Sequence, residues 1–119
     1  MKIEELKDLV LNTLEDMKAV EVVSIDVRDK TSITDIMVIA SGTSDRHVKS
    51  LAEAVAFQAK QAGESVLGME GEREGEWALV DLNGVVVHVM QPKVRDFYQL
   101  ERLWRMDSPA DGDIAAPGA

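Results

Sequence analysis

The pair Asn83-Gly84, set between WALVDL and VVVHVM, restricts the fold of this chain more than any other feature. Asn-Gly between two apolar runs favours a two-residue hairpin loop of type I′, since both residues tolerate the positive φ angles that this turn demands. Such a loop leaves no freedom of register. It sets Leu82 opposite Val85, Asp81 opposite Val86, Val80 opposite Val87, Leu79 opposite His88, Ala78 opposite Val89 and Trp77 opposite Met90. Side chains alternate along a strand, so the hairpin has two faces of different chemistry. Ala78, Val80, Leu82, Val85, Val87 and Val89 form an aliphatic core face, while Trp77, Leu79, Asp81, Val86, His88 and Met90 form the other.

Periodicity supplies the remaining elements. Ile3, Leu6, Val10, Leu14 and Met17 recur at steps of three and four, which predicts a helix over 3–17. Val22 to Val27 is rich in β-branched residues and reads as a strand. The polar turn 28–32 leads to Asp35-Ile-Met-Val-Ile-Ala40, an apolar run expected of a strand buried on both faces. The stretch SGTSD (41–45) then opens a second helix, with Ser44 as its cap and Val48, Leu51, Val55 and Ala59 as its inward stripe; Gly63 stops it. A strand over 65–69 and a charged, flexible loop over 71–75 precede the hairpin. After Pro92 a single helix is expected from Val94 to Arg105, with Val94, Phe97, Leu100 and Leu103 or Trp104 facing inward. The order α-β-β-α-β-β-β-α implies an α/β fold, a single mixed β-sheet of about five strands with packed helices. Residues 1–105 are read as one domain, and 106–119, rich in Pro, Gly, Ala and Asp, as a disordered tail.

Charge and composition narrow the function classes. The net charge of −9 opposes binding to nucleic acid through phosphates and favours long-range attraction to a basic partner. With no cysteine and only His47 and His88, the chain offers no thiolate zinc site and no histidine-rich metal centre. No apolar run approaches 18 residues and no signal-peptide pattern opens the chain, so a cytoplasmic location without membrane contact is expected.

Trp77, Phe97, Tyr98 and Trp104 are four of the five aromatic residues, gathered at one end of the sequence with a lone strand histidine. Two readings of this corner stand side by side. In one, a helix covers Trp77, Leu79 and Met90, leaving Asp81 and His88 at a wet margin. In the other, the mixed face docks a partner, with Trp and Met at the centre and polar groups at the rim. Lys93, Arg95, Arg102 and Arg105 form a local positive patch that suits either solvent or a peripheral RNA backbone. SGTSD could cradle a phosphate at a helix start. However, the chain lacks GxxxxGK[ST] and GxGxxG, and its strands hold no Asp-x-Asp pair for catalytic metal ions. Neither catalytic residues nor a cofactor site are assigned.

The blocks DIMVIASGTSDRHVKSLA (35–52) and WALVDLNGVVVHVMQPKVRDFYQLERLW (77–104) closely resemble the ribosomal silencing factor family, also called Iojap-like. The resemblance spans roughly residues 3–105. It implies a nucleotidyltransferase-like topology without the catalytic carboxylates, and a translation repressor that is not an enzyme. It also implies binding to the large ribosomal subunit through ribosomal protein number fourteen, which blocks small-subunit joining when nutrients are short. On this reading Trp77, Leu79, Asp81, His88 and Met90 form the docking face, extended by Lys93, Arg95 and Tyr98. Large-subunit maturation is an alternative role, a nucleotide-binding enzyme a more remote one, and homodimerisation of the free protein remains open.

Overall fold

A computed structural model describes residues 1–105, except for the side chains of Glu101, Trp104 and Arg105. The elements are α1 (Ile3–Asp16), β1 (Val20–Asp26), β2 (Ile36–Ser41), α2 (Asp45–Gln61), β3 (Gly68–Glu70), β4 (Trp77–Asp81), β5 (Val85–Met90), α3 (Pro92–Tyr98) and α4 (Leu100–Arg105). The five strands form one sheet in the order β1-β2-β5-β4-β3. Only the central β2–β5 pair is parallel. The expected α/β fold with a single mixed sheet is therefore present. The expected tail and the inward placement of Trp104 lie outside the described residues.

Hairpin pairing follows the predicted register from Trp77↔Met90 to Asp81↔Val86. Its turn does not follow type I′. Only Asn83 has positive φ, at 72°, and Gly84 N–H donates to the Leu82 carbonyl at 3.0 Å. The Gly84 carbonyl is drawn toward the start of β2, where it accepts from Asp35 N–H at 3.1 Å and Ile36 N–H at 3.0 Å. A side chain at Gly84 would collide with Ile3 Cδ1. Glycine is favoured here by close approach to the Ile3 side chain rather than by φ, and the turn joins three parts of the chain.

The aliphatic hairpin face packs under α1 and α2. Leu6, Val10 and Leu14 of α1 and Val48, Leu51, Val55 and Ala59 of α2 are buried against Val38, Val80, Val85, Val87 and Val89. Every residue of β2 is buried, as its unbroken apolar run requires. Ser44 caps α2 as expected, its Oγ accepting from His47 N–H at 3.1 Å.

Several boundaries depart from expectation. α1 stops at Asp16, so Met17 is its C-terminal cap and is exposed rather than the last member of the stripe. β1 begins at Val20, through an irregularity between Val20 and Val23 with Glu21 at φ 49°. β3 is a three-residue edge strand shifted toward Glu70. The last helix is not continuous: Gln99, at φ 51°, ends α3 in the left-handed conformation, and α4 restarts in a new direction.

Candidate functional site

The second face of the sheet carries the candidate site. Across its register it presents Val23 and Ile25 from β1, Met37 and Ile39 from β2, Val86, His88 and Met90 from β5, and Trp77, Leu79 and Asp81 from β4. α3 and α4 cover only part of this face. Val94 and Leu100 pack with Ile25, Val27, Met37, Ile39, Met90 and one side of Trp77 into a second, smaller core. Leu79 and Val86 stay half-buried and belong to neither core. The Met90 end of the face is thus covered, and the Leu79–Val86 end is open.

At the boundary between the two parts stands a braced aromatic group. Trp77 Nε1–H donates to His88 Nδ1 at 3.0 Å. An accepting Nδ1 places the proton of the neutral ring on Nε2. Burial pushes the His88 pKa down to about 4, so the neutral ring is the form present at neutral pH. Tyr98 lies against the indole at 4.9 Å between ring centres, and Phe97 lies against Tyr98 at 5.0 Å. Tilted pairs at these separations are attractive beyond the area they bury.

Two residues expected on the docking face are buried. Met90 is fully buried in the second core. Arg95 is only 5% exposed, and its Nη1–H donates to Ser41 Oγ at 2.9 Å, 54 residues away in the chain. Its guanidinium therefore braces the end of β2 instead of facing solvent. Phe97 errs the other way: expected inward, it is 65% exposed, because α3 turns Val94, Arg95 and Tyr98 toward the sheet and leaves Phe97 off that face. Asp81 closes the hairpin, its Oδ1 accepting from Asn83 N–H at 2.8 Å. Lys93 is exposed. Sequence reasoning named neither Val86 nor Phe97 as a site residue, although the alternation of β5 places Val86 on this face.

In the SGTSD loop, read as a possible phosphate cradle, Gly42 N–H is already engaged, donating to the Met90 carbonyl at 3.0 Å. Thr43 N–H donates to His47 Nδ1 at 2.9 Å, Arg46 N–H to Asp45 Oδ1 at 2.8 Å, and His47 Nε2–H to the Met17 carbonyl at 2.8 Å. The His47 ring ties the first turn of α2 to the end of α1. Beside it lies a cleft of about 640 Å³ lined by Ser44, Asp45, Glu74, Glu76, Gln91, Lys93, Val94, Phe97 and Tyr98. Loop 71–75 is tied to its surroundings: Gly75 N–H donates to the Gly71 carbonyl at 3.1 Å, and Gln91 Nε2–H donates to the Gly75 carbonyl at 2.9 Å. No helix among the described residues is long and apolar enough to cross a membrane.

These features define a small mixed-sheet α/β domain, roofed by two long helices on one face and left apolar and half-open on the other. The chain belongs to the ribosomal silencing factor family: the family model described as "Ribosomal silencing factor during starvation" matches residues 1–117. Its relatives include the ribosomal silencing factor of Chromobacterium violaceum, 44% identical over 92% of this chain and 90% of that protein. The Haemophilus influenzae factor is 42% identical over 83% of this chain and 97% of its own length. A mouse protein named for mitochondrial assembly of the ribosomal large subunit is 31% identical, with 85% of this chain matching 46% of that one. A crystal structure from C. violaceum superposes with a TM-score of 0.87 at 44% identity, covering 92% of this chain and 91% of that one. One from Bacillus halodurans gives 0.78 at 32%, covering 88% and 98%.

Proposed function

We propose that this protein represses translation by docking on the large ribosomal subunit, through ribosomal protein number fourteen, and blocking small-subunit joining by its volume. The observation that carries this reading is the pair Leu79 and Val86, apolar, half-exposed and outside both cores, next to the braced Trp77. An apolar centre rimmed by Asp81, His88, Tyr98 and Lys93 has the composition of a protein interface. The net charge of −9 favours approach to a basic ribosomal protein over bare RNA. No chemistry is needed: repression follows from occupancy, set by concentration relative to the dissociation constant. The description of the family ties silencing to starvation, which supports action under nutrient limitation.

The test is binding to purified ribosomal protein number fourteen. Saturable binding that is lost in a folded Leu79→Asp variant is expected, and absence of binding by the wild-type chain would contradict the reading. The name of the mouse relative favours a second reading, assistance to large-subunit assembly. The two differ in the particle preferred: an assembly factor favours immature large subunits, a silencing factor mature ones.

A further inference from the structure

The cleft beside SGTSD adjoins the proposed docking face through Tyr98, whose ring rests on Trp77 at 4.9 Å and also lines the cleft. Its walls differ in chemistry from the open sheet face. Asp45, Glu74 and Glu76 are three carboxylates against the single cation Lys93, and Phe97 and Tyr98 supply an aromatic wall. Among the described residues, none of the three carboxylates is paired with a cation of its own chain. Phe97 is 65% exposed and its ring lies against that of Tyr98 at 5.0 Å.

These walls are held in place. Gln91 N–H donates to the Glu76 carbonyl at 3.0 Å, and the Gln91 side chain holds Gly75. Gly75 has φ +73°, and a side chain there would strike the backbone of Asp45. Loop 71–75 is thereby seated on the start of α2, bringing Glu74 and Glu76 to the same cleft as Asp45.

We propose that this cleft receives an arginine side chain from a basic segment of the docked ribosomal protein. The inference rests on the docking reading and names the chemistry of the contact. An anion is disfavoured by the excess of carboxylates. A lysine ammonium meets the charge and can approach a ring face, but it has no planar group to stack while donating paired hydrogen bonds. A guanidinium satisfies both walls, since its planar face stacks on aromatic rings while its edge donates paired hydrogen bonds to carboxylates. The cleft is also roomy enough to admit the side chain with bridging water.

The experiment is an NMR titration of the full chain with a short arginine-containing peptide, a lysine peptide of equal charge, and spermidine. Amide shifts confined to 44–45, 74–76 and 91–98 are expected with the arginine peptide. Its preference over the lysine peptide should be about twofold or more, from planar stacking combined with paired hydrogen bonds that an ammonium cannot make. Phe97→Ala should reduce that preference, and Glu74→Gln with Glu76→Gln should weaken both peptides. Equal binding of all three probes, or shifts spread over the acidic surface, would overturn the assignment. Pelleting with large subunits separates the two proposals. If the wild type pellets and the Glu74→Gln/Glu76→Gln variant pellets equally well, docking stands and the cleft assignment falls. If the wild type does not pellet, docking falls, and with it the ribosomal source of the arginine.

Discussion

Trp77 donates its indole N–H to His88 Nδ1 over 3.0 Å, a diagonal contact across the β4–β5 hairpin that fixes both rings at the edge of the open face. The bond requires a neutral imidazole, because a protonated Nδ1 is itself a donor. The same burial that holds the His88 pKa near 4 therefore preserves the contact.

A pH dependence follows. The folded-state pKa of His88, about 4, lies below its ordinary value of 6.5. Between those values the unfolded chain binds more protons than the folded one. Stability is thus fully present above pH 6.5 and declines as pH falls toward 4, by at most about 3 kcal/mol from this residue. Urea denaturation at pH 7.5 and pH 5 should show the decline in the wild type and a smaller one in His88→Gln.

Trp77 has a folding role alongside any role in docking. Trp77→Phe keeps a ring beside Tyr98 but removes the donor, and should lower stability by about 1 kcal/mol. Trp77→Ala also loses the packing on Tyr98 and the second core, and should lose about 2–3 kcal/mol, less than a fully buried tryptophan. Chemical denaturation measures both. A loss of ribosome binding in Trp77→Ala is then no proof of direct contact, and Leu79 is the better probe.

Arg95 is expected to behave as a core residue. Arg95→Ala removes a buried stem and its bond to Ser41, and should cost about 2–4 kcal/mol in thermal or urea unfolding. Ser41→Ala, which deprives the buried guanidinium of one acceptor, should cost about 1–3 kcal/mol. A solvent-facing arginine would instead give changes within about 0.5 kcal/mol in both.

The hairpin turn predicts a paired effect. Gly84→Ala should destabilise by about 1 kcal/mol through contact with Ile3, whose Cδ1 must turn aside. Ile3→Val deletes the colliding Cδ1 and should recover much of that loss in the double variant. A double-variant cycle by urea denaturation reads the coupling directly. Additive losses would mean that the contact does not limit the turn.

What the sequence reveals of this fold depends on how locally each feature is encoded. Hairpin register was legible because two residues between apolar runs permit only one pairing, and α1, α2 and β2 were legible from their stripes and runs. The turn type was not, because it depends on Ile3 and on the start of β2, both distant in sequence. The break at Gln99 carries neither glycine nor proline. Phe97 was misplaced for another reason: α3 turns Arg95 rather than Phe97 toward the sheet, against the polarity of the two side chains. Arg95 was misread in turn: nothing near it indicates that its partner is Ser41, at the far end of a central strand. Of the expected docking residues, Trp77, Leu79, Asp81, His88 and Tyr98 do share one region, because strand alternation and the stacking of Tyr98 bring them there.

The most direct test of the account is sedimentation of the purified protein with isolated ribosomal subunits under joining conditions, comparing the wild type with a folded Leu79→Asp variant. The wild type should travel with the large subunit and reduce the joined ribosomes, and the variant should do neither. A variant that binds and represses like the wild type would remove the open sheet face from the mechanism, and a wild type that binds neither subunit would contradict the account as a whole.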